Sequence, residues 1–69
     1  METKKEAVLK ERFNSMFKVG SKVMWRDSAT TSYQKVTVKT EAFINYGLAV
    51  VFFEEIQSFC SIHPEFVIY

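Results

Sequence analysis

Cys60 and His63 are the one thiol and the one imidazole of the chain. Their types suggest a nucleophile with its base, or the beginning of a metal site. Structural zinc takes four protein ligands and catalytic zinc typically three, so one Cys and one His fall short. A thiol–imidazole nucleophile also needs a group to orient the base and an oxyanion hole. The pair is therefore expected to be a buried thiol on a strand and a histidine at a turn. Glu54 and Glu55 are adjacent, and consecutive strand residues face opposite sides. That spacing suits a strand end guarded against aggregation better than an acid–base dyad. Gly20 and Gly47 are the only glycines, which leaves no glycine-rich phosphate loop. The expectation is a non-enzymatic protein with no catalytic residue, no metal and no cofactor.

The cations form a more coherent set. All nine Lys and Arg lie between Lys4 and Lys39. Residues 1–40 carry nine basic and four acidic groups, whereas residues 41–69 carry four acidic groups and no basic one. Such asymmetry marks either an anionic partner or two halves that neutralise each other in the fold. If Val23, Trp25, Val36 and Val38 face a core, then Lys22, Arg26, Lys35 and Lys39 share the opposite side of one hairpin. Four cations on adjacent strands can follow a phosphate backbone. Tyr33 at a loop edge and Tyr46 at a turn could stack on bases. The competing account of the same residues is a solvated outer sheet face.

Seven Phe, three Tyr and one Trp are many for one small core. The run Leu48 to Phe53 is apolar on both strand faces and needs cover on both. The last four residues, Phe66-Val67-Ile68-Tyr69, are apolar too, and no Lys or Arg follows Lys39 to guard an open edge. Phe52, Phe53, Phe59, Phe66 and Tyr69 are thus the candidate contacts to a protein partner or to a second copy across a two-fold axis. A homodimer is the expected state. Trp25 reads as a core anchor whose indole N–H needs a buried acceptor.

A chain of 69 residues makes one domain, and at this size folding buries only about 60% of the surface exposed in the unfolded chain. A lone cysteine allows no internal disulfide, which small secreted domains usually require. With a charged start (Met1-Glu2-Thr3-Lys4-Lys5-Glu6) and no signal-peptide apolar stretch, a cytoplasmic setting is expected. No apolar run approaches the roughly 20 residues needed to span a bilayer.

The elements that must position these residues follow from periodicity. Thr3-Lys4-Lys5-Glu6 has the form of a capping box. Leu9, Phe13, Met16 and Phe17 then make the stripe of an amphipathic helix, from about Lys4 to Ser15. From Lys22 the period becomes two. Strands are expected over 22–26, 34–41, 48–53, 56–62 and 67–69. Asp27 to Ser32 forms a polar loop, Asn45-Tyr46-Gly47 a turn, and His63-Pro64-Glu65 a break.

Two segments resemble SH3-like small barrels. Phe17-Lys18-Val19-Gly20-Ser21-Lys22-Val23 is similar to the turn-then-strand entry of KOW, Tudor-like and related barrels. Ile62-His63-Pro64-Glu65-Phe66-Val67 resembles the 3₁₀ turn before their last short strand. The resemblance implies a barrel over residues 17–69. It carries no functional residue across: the loop Asp27 to Tyr33 lacks the KOW glycine, and the acidic, tyrosine-rich loop and paired tryptophans of proline-peptide-binding SH3 domains are missing. The fold expected is mainly β, an N-terminal helix followed by a five-stranded, partly open SH3-like barrel. The alternative is a helix packed on an antiparallel sheet. The function expected is a small protein-interaction module, self-associating as above, with nucleic-acid binding through the basic hairpin face as the alternative.

Overall fold

A computed structural model describes residues 4–69. Helix α1 spans Lys4–Met16, one residue beyond the expected end. An isolated helix of this length is marginal in water, so its apolar stripe must find cover. Leu9 and Phe13 are buried in the core, and Phe17 continues the stripe with its ring 5.1 Å from that of Phe13. Met16, expected in the stripe, is 48% exposed. It lies near the edge of the buried face, where Phe17 covers the core instead. The capping box rests on Thr3, which lies outside the described residues. Asn14 holds the end of the helix to the sheet. Its side-chain amide donates to the Ala42 carbonyl and accepts from the Ala42 N–H, at 3.1 and 2.7 Å.

The strands form two antiparallel sheets. In the first, β1 (Lys22–Trp25) pairs with β2 (Gln34–Thr37), Val23 opposite Val36. In the second, β4 (Leu48–Val51) lies between β3 (Phe43–Asn45) and β5 (Cys60–Ser61). Helix α1 packs on β3 and β4. Two isolated bridges tie the sheets to each other and to the chain end, Val38 to Phe53 and Trp25 to Val67. The molecule is therefore a mixed helix and strand domain, and the strands do not close into a barrel.

Several expected strands are shorter than their patterns suggested. The 56–62 strand shrinks to Cys60–Ser61 because the chain turns at Glu54-Glu55, with the Ile56 N–H donating to the Phe53 carbonyl at 3.2 Å. The 67–69 strand reduces to the Val67 bridge, flanked by bonds from Arg26 N–H to the Phe66 carbonyl and from Ile68 N–H to the Met24 carbonyl. Strand β3 was not anticipated. Its signal lay in the turn, since Tyr46 and Gly47 both take positive φ, 53° and 79°. A two-residue loop of that type joins two paired strands, so the strand partner of Leu48 had to end at Asn45, directly before Tyr46.

The core gathers Phe13 from α1, Val23 and Trp25 from β1, Val36 from β2, Val51 from β4 and Cys60 from β5, with Val38, Phe53, Ile62 and Val67 from the segments that follow strands, and Ile44 of β3 packs against it. Fully burying one side chain such as Phe13 contributes about 1.5–3 kcal/mol. Among the described residues, one buried side chain is an acid. Glu6 is 5% exposed, and its carboxylate accepts from the Ala49 N–H at 2.7 Å and meets His63 Nε2 at 2.8 Å. It thus joins the helix to β4 and to the turn that follows β5. Trp25 is the core anchor expected, but its indole Nε1 is buried with no hydrogen-bond acceptor among the described residues. An unpaired buried donor costs about 1–3 kcal/mol.

Candidate interaction surface

Side chains along β4 alternate between two faces. Ala49 and Val51 belong to the core beneath α1, while Val50 is buried outside that core. By the two-residue period, Leu48 and Phe52 share the outer side with Val50. Phe43 stands directly opposite Val50 in the ladder and joins them there. The loop after β4 brings Phe59 back over this face. The Phe43, Phe52 and Phe59 rings form a triad: Phe52 and Phe59 lie 4.8 Å apart, and Phe43 is 5.9 Å from each. Such ring pairs add about 0.5–1.5 kcal/mol each beyond area burial. The triad covers Val50 and is itself only partly covered. Phe59 is 50% exposed, Leu48 52% and Tyr46, at the hairpin tip, 95%.

Of the five aromatics expected at an interface, Phe52 and Phe59 are on this surface. Phe53 is not available to a partner: it is fully buried, its ring 5.9 Å from Trp25 and 6.5 Å from Phe13. Phe52 rather than Phe53 faces outward because the bridge to Val38 sets the register. Tyr69 is taken up inside the molecule. Its ring packs on Phe13 and Phe17, its hydroxyl donates to the Ile62 carbonyl, and the Arg12 guanidinium lies 4.7 Å above it. Burial pushes its pKa up to about 12, despite the opposing pull of Arg12. Phe66 packs against the core with Arg26 5.5 Å above its ring. Phe43, which sequence reasoning missed, completes the triad.

The basic face is only partly assembled. Lys22, Lys35 and Lys39 are exposed. Arg26 is turned inward onto its own loop: it donates to the Thr30 carbonyl at 2.9 Å and lies 6.0 Å from the Tyr33 ring centre. Tyr33 is half-buried with it, whereas Tyr46 lies on the other hairpin, away from these cations in the ladder. Lys22 donates to the Thr37 hydroxyl, which in turn donates to the Glu55 carboxylate at 2.8 Å. The Thr37 N–H also donates to Glu55, at 2.7 Å. These Thr37 bonds, backbone first, hold the Glu55 pKa below its ordinary value, and the nearby Lys22 charge adds to the effect. Lys39 is set opposite Phe52 through its N–H bond to the Phe52 carbonyl, 2.9 Å.

The remaining candidates are structural in their geometry. Cys60 is buried, and burial pushes its thiol up to about 11, so it stays protonated at neutral pH and is a poor nucleophile. His63 is engaged with Glu6. Glu54 and Glu55 are both exposed where β4 ends. Among the described residues, no three His, Cys, Asp or Glu side chains gather where they could hold a metal ion. Among the same residues, no helix is long and apolar enough to cross a membrane. Comparisons with protein-family models, with curated proteins and with solved structures found no match to this chain.

Proposed function

We propose that this chain is a small non-enzymatic protein-interaction module of the cytoplasm, binding through the outer face of the β3–β4–β5 sheet. One observation carries the reading: an aromatic triad outside the main core, bordered by the exposed Leu48 and Tyr46. Contiguous exposed apolar surface on a small protein marks an interaction site. The framework reads as an open SH3-like arrangement, with the chain end beside β1, β1 beside β2, Val38 of β2's continuation bridged to Phe53, and β4 beside β5. Sedimentation at several protein concentrations tests the self-associating form of the proposal. A dimer that Phe59→Ser disrupts supports it. A mass that stays near 8.1 kDa at high concentration overturns self-association and leaves a different protein as the partner.

A second reading is favoured by Lys39 opposite Phe52, with Lys35 exposed four residues earlier. Cations beside exposed rings suit single-stranded nucleic acid. Its affinity falls steeply with salt, whereas an apolar interface is nearly indifferent. No binding of a labelled oligonucleotide at low salt removes this reading.

A further inference from the structure

The two sheets part between β5 and the end of β1, leaving a cleft of about 190 Å³. It is lined by Trp25, Asp27, Ser28 and Phe66, the last held beside β1 by the bond from Arg26 N–H to its carbonyl, and by Phe59, Cys60 and Ser61 at β5. Trp25 is 7% exposed, and its Nε1 is the one buried side-chain polar atom without a hydrogen-bond partner among the described residues. We infer that this cleft binds an extended peptide segment, which sets a backbone carbonyl oxygen against the Trp25 indole N–H and an apolar side chain between Phe59 and Phe66.

Three observations converge on that occupant. The unpaired group is a donor only, so charge complementarity at the atom requires an acceptor. A carboxylate is opposed by Asp27 on the rim, and an ammonium has no lone pair to offer, which leaves a neutral oxygen such as a peptide carbonyl. The walls are aromatic, with Ser28 and Ser61 hydroxyls at the margin, the mix of apolar lining and few polar groups typical of a binding cleft. Finally, β5 is an edge strand of its sheet, paired with β4 alone among the named strands. An edge bordering a cleft suits an extended segment added alongside it. The indole nitrogen is covered in the structure, so the cleft wall must give way to the incoming carbonyl, with the half-exposed Phe59 as the side chain free to move.

This inference rests on the protein-binding role but not on the outer aromatic face as its site. A partner held only by Phe43 and Phe52 leaves the role intact and the cleft proposal false. The chain has a single tryptophan, so the full-length ¹⁵N-labelled protein gives one indole cross-peak. The probe is N-acetyl-leucine N-methylamide, and isopentylammonium is the control with a similar apolar branch and no acceptor. The amide should move the indole proton downfield and slow its solvent exchange, and the ammonium should do neither. Trp25→Phe removes the indole N–H together with part of the ring, and binding followed instead at the backbone amide signals of the cleft residues should then show no preference for the amide. Phe59→Ala, once its dispersed amide spectrum shows it folded, should weaken amide binding about tenfold, a 1.4 kcal/mol change. An indole signal unmoved at about 10 mM amide, where a ligand of this size should register, overturns the proposal. Equal responses to amide and ammonium overturn it as well.

Discussion

The two faces of β4 solve the same problem differently. Ala49 and Val51 on the inner face are fully buried under α1, which brings Leu9 and Phe13 down on them. Leu48, Val50 and Phe52 on the outer face have no helix. They are covered by rings from β3 and from the loop after β4, and that cover stops halfway, leaving Leu48 and Phe59 about half exposed. Among the described residues this domain has one helix to place, and placing it on one face leaves the other to be covered by aromatics alone. Stability should therefore reside on the inner face and recognition on the outer.

Phe13 tests the stability half most severely. It is fully buried and touches the rings of Phe17, Phe53 and Tyr69. Phe13→Ala should cost about 3–5 kcal/mol, enough to unfold a domain whose whole stability is of order 5 kcal/mol. Urea denaturation followed by tryptophan fluorescence measures this, and a midpoint near that of the wild type would show that α1 is an accessory. Glu6→Ala comes next. It strands the Ala49 N–H in the interior and removes the partner of His63, which should cost about 1–3 kcal/mol. Glu6→Gln retains an acceptor for the Ala49 N–H and should lose less in the same experiment.

The contrast between faces was half legible in the sequence. The helix, its Leu9 and Phe13 stripe, and the two-sided apolar character of Leu48 to Phe53 all followed from periodicity, which is a local property. The identities of the outer aromatics did not, because they depend on register. Phe52 and Phe53 are indistinguishable by type, and a single bridge at Val38 decides which one is buried. Tyr69 looked like a free terminal aromatic until the fold set it beside Phe13, Phe17 and Arg12. Arg26 looked like its lysine neighbours until the Asp27–Ser32 loop curled back to offer the Thr30 carbonyl. Glu6 carried a helix-start signature, yet its long-range role beside Ala49 and His63 leaves no mark in local spacing.

Alkaline pH sharpens the inner-face account. Burial raises the folded-state pKa of Cys60 from 9.0 to about 11 and that of Tyr69 from 10.0 to about 12. Both groups are neutral below those unfolded values, so their contribution to stability is fully present there. As pH rises past about 9, the unfolded chain releases these protons before the folded chain does, and stability falls with pH. Melting temperatures should therefore hold steady from neutrality to about pH 9 and then decline until the folded-state values are passed. Cys60→Ala combined with Tyr69→Phe should flatten the decline. A wild-type curve without it would mean that these two groups are more hydrated than their burial implies.

The smallest expected stability effect lies on the outer face, at Tyr46, and the pattern there is what separates the two roles. Tyr46 is 95% exposed and sits at φ 53°, a left-handed conformation that glycine and asparagine accept more readily than tyrosine. A bulky residue kept there with almost no contact to its own fold gains nothing locally from being tyrosine. Tyr46→Asn should relieve the strain and stabilise the hairpin by a fraction of the roughly 1 kcal/mol that such backbone conformations cost. Phe59→Ser removes two ring pairs of the triad and should cost about 1–3 kcal/mol. If the outer face binds a partner, both changes should weaken association, one while raising the melting temperature and the other while lowering it. Sedimentation and melting curves on the same samples make the comparison. A Tyr46→Asn protein that melts higher and associates as well as the wild type would remove the hairpin tip from the interaction surface and confine recognition to the Phe43, Phe52 and Phe59 triad.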